Sequence, residues 1–384
     1  MVEKIKSAFE VRFENNPILV KSPGRVNLIG EHTDYNYGFV LPAAVDVAMY
    51  FACKSNKTAT FRIYSYDLDD FYETPVDKID KCEKHWANYL LGVIAQFAKA
   101  GKKVQGFDCV FGGDIPMGAG MSSSAALETG LAFAINNMEG FDFETIDLVK
   151  FSQKAEHEYA GVQCGIMDQF AAMHGKSNQV IKLDCRSLDY SYYPLDMSEQ
   201  ILVLVNTGVK HSLASSEYNK RRQECEAGVA LLQKHQPEIT SLRDVSLAFI
   251  QAHQSEIDPL IYKRCTYVIE ENLRLENACK ALDDRDFVSF GEQIFGSHEG
   301  LKSKYEVSCV ELDQLVDLAK SINGVIGARM MGGGFGGCTI NLVKKDAVKL
   351  FEKTIKANYK TPDGNEPQII KVSIEEGTHL VSNS

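Results

Sequence analysis

The stretch Arg25–Gly38, RVNLIGEHTDYNYG, sets a short apolar run ahead of a charged turn. Val26 to Ile29 reads as a buried strand that stops at Gly30. Directly beyond it stand Glu31, His32, Thr33 and Asp34, with Arg25 just ahead. Isolated ionised groups are costly to remove from water, so such a cluster either stays solvated or meets a partner that satisfies it. The plain alternative is a solvated polar turn with Asp34 as an ordinary cap.

Composition narrows the partner. At 384 residues the chain exceeds one ordinary core, and two domains are expected. Hydrophobic content of 45% and charged content of 24% are those of a globular protein. A formal net charge of −11 argues against nucleic acid as the main partner, because phosphate backbones demand clustered cations. It leaves room for a small anion held in a local pocket. The opening MVEKIKSAFEVRFENN reads as an amphipathic helix and lacks the apolar core of a secretion signal. No run of about 18 apolar residues predicts a membrane span. Ten widely spaced cysteines without a CxxC pair, and no export signal, predict reduced thiols and a cytoplasmic location. Nine histidines contain no HxxxH or HExxH pair, so their spacing predicts no zinc site.

Outward from the opening stretch, period-two and apolar runs predict strands at 18–21, 26–29, 45–53, 59–65 and 107–111. Helical periodicity predicts helices at 86–99, 125–138 and 146–160. ILVLVN, 201–206, reads as a buried strand. From 215 to about 322 the pattern is mostly helical, and strands return near 338–342, 368–374 and 379–381. The polar stretch SLDYSYYPLDMSEQ, 187–200, marks the expected boundary, giving domains 1–195 and 196–384. Strands followed by helices and then strands point to α+β.

The second informative stretch is GGDIPMGAGMSSSAALETG, 112–130. Gly118 and Gly120 let backbone approach a ligand closely. Ser122, Ser123 and Ser124 stand where Ala125 begins a strongly helical run. A glycine-rich loop feeding a helix N-terminus offers unpaired N–H groups and a favourable dipole for an anion, phosphate above all. The loop is neither a Walker A motif, since no lysine stands at the required point, nor a GxGxxG fingerprint. A serine cap on a glycine turn is the structural alternative. A third cluster, MGGGFGGC at 331–338, holds five glycines in eight residues, which predicts close backbone approach to the phosphate-type loop.

Together PGRVNLIGEHTDYNYGFVLP, PMGAGMSSSAALE and RMMGGGFGGC resemble the three ordered motifs of the GHMP small-molecule kinases. The first is close to the signature of that family's galactokinase branch. WANYLLGV from Trp86, CGIMDQF from Cys164, LDCRSL from Leu183, SEYNKRRQEC from Ser216 and SHEGLKSKYEVSCVELDQL from Ser297 extend the resemblance from near Lys21 to near Leu342. One position departs: Met331 stands where the family usually has threonine, which removes a hydroxyl near the expected phosphates.

The resemblance implies a two-domain α+β GHMP kinase fold, with a ribosomal-S5-like first domain, a ferredoxin-like second domain and a cleft between them. It implies transfer of the ATP γ-phosphate to the C1 hydroxyl of α-D-galactose, giving galactose 1-phosphate and ADP, the entry step of galactose use. Asp168 would be the base and Arg25 the stabiliser of developing charge. Glu31, His32, Thr33, Asp34, Gly165 and Tyr218 would bind sugar. Gly118, Ala119, Gly120, Met121, Ser122, Ser123 and Ser124 would hold the phosphates, with Ser65 and Trp86 toward the nucleotide. Ser124 and Glu156 would bind Mg²⁺; Glu156 alone reads as part of a solvated helix face, and Trp86 as a half-buried core aromatic. The expected partners are ATP and galactose, with no nucleic acid, membrane or obligate protein partner. Alternative readings are a sugar 1-kinase for N-acetylgalactosamine or arabinose, or a galactose and ATP sensor without turnover. The complete SSSAALE segment, with Arg25 and Asp168 both present, weighs against the sensor.

Overall fold

A computed structural model of the chain describes residues 1–13, 16–116, 118–209 and 214–382; side chains within 214–216 are outside the description. Met117 of the second motif lies outside the described residues. Helix α1 (Val2–Arg12) leads into strand β1 (Ile18–Asn27). The two runs expected at 18–21 and 26–29 are thus one strand, bent by an irregularity between Pro23 and Arg25. Strands β2 (Phe39–Val40), β3 (Pro42–Ser55), β4 (Thr60–Ser65) and β5 (Asp70–Pro75) precede helix α2 (His85–Lys99) and strand β6 (Phe107–Gly113). Helices α3 (Ser123–Glu139), α4 (Thr145–Ala155) and α5 (Met167–His174) follow, then β7 (Gln179–Asp184) and β8 (Tyr190–Pro194).

Strand alternation sorts β1 onto two faces. Val20 joins the core with Phe51, Phe97 and Phe107, whereas its neighbour Leu19 joins Phe9 of α1 on the opposite face. Burying each such side chain contributes about 1.5–3 kcal/mol, enough to hold register against a one-residue slip. The helix expected at 146–160 breaks after Ala155 into a π-helical turn, Glu156–Ala160. Glu156 is buried, not on a solvated face: it lies one heptad beyond Val149 and one turn beyond Ser152, on the buried side of the helix. The polar stretch 187–200 also differs from expectation. It contains β8, which pairs with β7 because Tyr190 and Tyr192 alternate on a half-covered edge.

Beyond it run β9 (Gln200–Asn206), α6 (Ala214–Leu232), α7 (Leu247–Ala252), α8 (Pro259–Asp283), α9 (Phe287–Gly300) and α10 (Val310–Lys320). Then come β10 (Val325–Met330), β11 (Cys338–Lys344), α11 (Val348–Asn358), β12 (Ile369–Val372) and β13 (His379–Leu380). Helix α8 starts on Asp258, whose carboxylate accepts from the Leu260 and Ile261 N–H groups ahead of Pro259 at the first turn. The sheet order β10-β11-β9-β12, antiparallel throughout, is that of a βαββαβ ferredoxin-like unit. The strand β10 escaped the sequence reading, since Gly327 and Arg329 interrupt its apolar run.

The other large sheet has the order β13-β1-β3-β6-β4-β5. Its edge strand β13 comes from the far end of the chain, pairing Leu380 with Val20. The division expected at 195/196 falls between β8 and β9, but the last residues return to the first body. Thr378 anchors them through Ser22 and the Ala172 carbonyl.

Candidate active site

Arg25, at the bend of β1, is buried and points its guanidinium at Asp168 in the first turn of α5. Nε and Nη2 donate to the two carboxylate oxygens at 2.6 and 2.7 Å, a parallel fork of the strongest protein type. Nη1 donates to the Gly120 carbonyl at 2.5 Å, and the Ser122 hydroxyl also reaches Asp168. Burial opposes a charged guanidinium, but the Asp168 carboxylate outweighs it and the Arg25 pKa rises.

The loop ahead of α3 is built from left-handed backbone. Gly118 and Gly120 have φ of 73° and 70°, and Ser122, the cap residue of α3, has φ of 53°. For a serine that is strain of the kind found at ligand sites. The third glycine cluster packs against this loop. A Cβ at Gly120 would meet the Met331 carbonyl at 3.3 Å, and one at Gly337 would meet the Gly118 carbonyl at 3.5 Å. Met331 itself is buried in one cluster with Ala119 and Met121, so its side chain closes the loop's back with apolar contact.

Glu31 is 2% exposed. Its Oε2 accepts from Arg329 at 2.7 Å and from the Gly332 N–H at 3.1 Å. Arg329, fully buried, also donates to the Leu28 and Met330 carbonyls. His32, at φ 62°, contacts Tyr35 through Nδ1 at 2.8 Å; its Nε2 has no well-formed partner among the described residues, with the Gly333 backbone nearby. Burial, then the Arg221 charge, lowers the His32 pKa to about 3, so the ring is neutral. Asp34 is buried beside Asp168 and Glu31, and burial first, those charges second, push its pKa up to about 7. A carboxylate in that condition is short of hydrogen-bond donors. The turn is clamped from α8: Glu271 accepts from the Gly30 N–H at 3.0 Å, and the Tyr267 hydroxyl donates to the Glu31 carbonyl at 2.9 Å.

Opposite the pair, Ser124 Oγ donates to Glu156 Oε1 at 3.1 Å. Gln169 Nε2 donates to Glu156 Oε2 at 2.7 Å and lies 3.3 Å from Glu128 Oε2. Burial, then Asp168, raises the Glu156 pKa to about 7. Burial, then the Glu156 charge, likewise drives the Glu128 pKa well up. Two hard oxygen donors, one a carboxylate destabilised by burial, suit Mg²⁺, which commonly takes one or two protein ligands and keeps several waters.

These groups line one cavity of about 370 Å³ between the two bodies. It takes in Arg25, Asp168, Glu31, His32 and Asp34, the loop 118–124, Glu156, and Tyr218 with Gly332 and Gly333 from the second body. Four expected residues stand elsewhere. Thr33 is buried in the turn, its hydroxyl donating to the Gly30 and Phe39 carbonyls. Gly165 backs Asp34 from behind, where a Cβ would collide with the carboxylate. Ser65 and Trp86 stand together beside Phe111, with Trp86 Nε1 donating to Asp70 at 2.9 Å. Arg329, Glu128 and Gln169 were not singled out from the sequence, although all three lie inside the quoted motifs. Their signal was a charged or amide group in an otherwise apolar or glycine-rich run.

The two bodies and the loop between them define the class. Residues 88–176 match the GHMP kinases N terminal domain and 278–361 the GHMP kinases C terminal domain. A Methanococcus jannaschii mevalonate kinase structure shares the fold, with a TM-score of 0.67 at 16% identity, over 94% of this chain and 99% of that one. Residues 7–55 match the galactokinase galactose-binding signature. A Clostridium acetobutylicum galactokinase is 41% identical over 99% of this chain and 98% of its own. A Lactococcus lactis galactokinase complexed with galactose superposes with a TM-score of 0.95 at 34% identity, covering 99% of each chain. The chain belongs to the galactokinase family of GHMP kinases.

Proposed function

We propose that the cavity brings the terminal phosphoryl group of ATP to the C1 hydroxyl of α-D-galactose, releasing galactose 1-phosphate and ADP. One observation carries the reading: the Arg25–Asp168 fork lies between the phosphate-type loop and the donor-hungry Asp34 of the opening turn. Asp168 accepts the C1 proton as the C1 oxygen bonds to phosphorus and the bond to the ADP oxygen breaks. Arg25 orients the Asp168 carboxylate through its two-bond fork and stabilises charge growing on the C1 oxygen. Backbone N–H groups of 118–124 receive the phosphates. Ser124 and Glu156 would hold Mg²⁺, which when bound neutralises phosphate charge.

Asp34 and Glu31 accept hydroxyl hydrogen bonds, His32 Nε2 offers a further polar contact, and Tyr218 covers the ring. A misplaced hydroxyl would leave a buried carboxylate unpaired, which is a strong basis for rejecting an epimer. Thr33 supports the sugar site through the turn, and Gly165 through the room it leaves. Ser65 and Trp86 would act at the nucleotide's far end, beyond the cavity walls. A cytoplasmic location fits ten free cysteines, and no helix among the described residues is long and apolar enough to cross a membrane.

The test is a panel of acceptors with Mg-ATP and purified protein, following ADP release. Release with galactose, and much less with N-acetylgalactosamine or arabinose, is expected. Folded protein that releases none with any sugar would return the sensor reading.

A further inference from the structure

The spacing of the histidines predicts no zinc site, yet among the described residues the fold assembles one candidate metal cluster outside the cavity. His235 follows α6 by three residues, His253 caps the C-terminal end of α7, and Glu256 ends the short 3-10 turn that comes next. Seventeen residues of chain lie between the two histidines, which is why no local motif announces them. Their rings nevertheless stack with centroids 3.9 Å apart at 28°.

Both rings aim at one carboxylate. His235 Nε2 lies 3.0 Å from Glu256 Oε2, and His253 Nδ1 lies 3.1 Å from Glu256 Oε1. One ligand atom from each of the three residues lies within 4.8 Å of the others. A tetrahedral ion with ligands at 2.0–2.2 Å requires donors about 3.3 Å apart, so modest side-chain rotation suffices. Phe249 packs on His253 at 4.7 Å and limits where that ring can go. Two protonated imidazoles at this separation would repel, whereas a single dication satisfies both nitrogens and the carboxylate at once. The group is partly exposed, which leaves water to complete the coordination.

We propose that His235, His253 and Glu256 form a binding site for a divalent ion of zinc type, tying the end of α6 to the end of α7. Two imidazoles and one carboxylate suit zinc, cobalt or nickel, and disfavour magnesium and calcium, which prefer all-oxygen sets. None of the three lines the catalytic cavity, so the site acts on the helical part of the second body and not on phosphoryl transfer.

The experiment uses the full chain without a histidine tag, stripped by chelator and kept in excess Mg²⁺ to occupy oxygen-only sites. Zinc is titrated by calorimetry and the melting temperature followed; cobalt is added separately for its visible spectrum. One tight zinc equivalent, a raised melting temperature and a low-coordinate cobalt spectrum are expected. His235→Gln and His253→Gln should each weaken zinc at least tenfold and lose the cobalt spectrum, while galactose phosphorylation with Mg-ATP is unchanged. Zinc uptake that persists in both variants would assign it to the free cysteines and overturn the proposal. Absence of uptake by the wild-type chain would do the same.

Discussion

The backbone of Gly165 passes so close to the Asp34 carboxylate that no Cβ fits between them. A glycine with no left-handed requirement is thereby tied to a single side chain 131 residues away in sequence. Gly165→Ala must push Asp34 toward the cavity. The expected result is a rise in the galactose KM of at least tenfold with the ATP KM little changed, read from steady-state kinetics. An equal rise for both substrates would point to general distortion instead.

Arg329 and Glu31 form a buried pair joining the third glycine motif to the opening turn. Removing one partner of a buried, hydrogen-bonded pair costs about 3–5 kcal/mol, because the other charge is left in a dry site. Arg329→Met should therefore lower denaturant stability by that order, and Glu31→Gln by less, since it leaves a neutral amide. A variant at position 329 as stable as the parent would show that the pair carries little of the contact between the two bodies.

Asp34 carries the sharpest dependence on pH. Its pKa rises from 3.8 to about 7, so the folded chain binds its proton more firmly than the unfolded chain does. This acid therefore weakens the ligand-free fold as pH climbs from about 4 to about 7. Asp34→Asn removes the penalty and should raise the melting temperature at pH 8 by about 2–8 °C, while sugar use collapses. In the parent, kcat/KM for galactose should fall below pH 7 as Asp34 takes up its proton, with Mg²⁺ saturating so that Glu156 does not contribute. An unchanged melting temperature in the variant would contradict the buried-carboxylate reading.

Burial, reinforced by the Glu156 carboxylate, pushes the Glu128 pKa well up and favours its protonated form. Glu128→Gln should leave stability and turnover within about a factor of three. Glu128→Leu removes the acceptor facing Gln169 and should weaken Mg²⁺ activation by tenfold or more, as loss of a supporting partner does at other metal sites. If Glu128→Gln is as damaging as Glu128→Leu, the group is ionised and its role differs.

What the sequence displayed was local. The charged turn and the glycine-serine loop are each contiguous, and the apolar run ahead of the turn is the end of β1, which stops at Asn27 rather than running to Gly30. What escaped depends on distant partners. Arg329 meets Glu31 across 298 residues, and β13 joins β1 from the other end of the chain. Glu156 alone reads as solvated by residue type, yet it falls on the buried side of its helix, one heptad beyond Val149. Thr33 sits in the most telling motif, yet its hydroxyl ties the turn to Gly30 and Phe39, a choice that residue type does not reveal. The tyrosines of β8 read as part of a polar boundary stretch because half-exposed aromatic strands and polar loops share composition.

The central claim is that Asp168, forked by Arg25, takes the sugar's proton during transfer. The direct measurement is rapid-quench single-turnover phosphorylation of galactose by Asp168→Asn, with binding of galactose and Mg-ATP checked separately. Both ligands should bind within a few-fold of the parent while the transfer rate drops by about 10² to 10⁴. Transfer at near-parental rate by protein that binds both ligands would contradict the account.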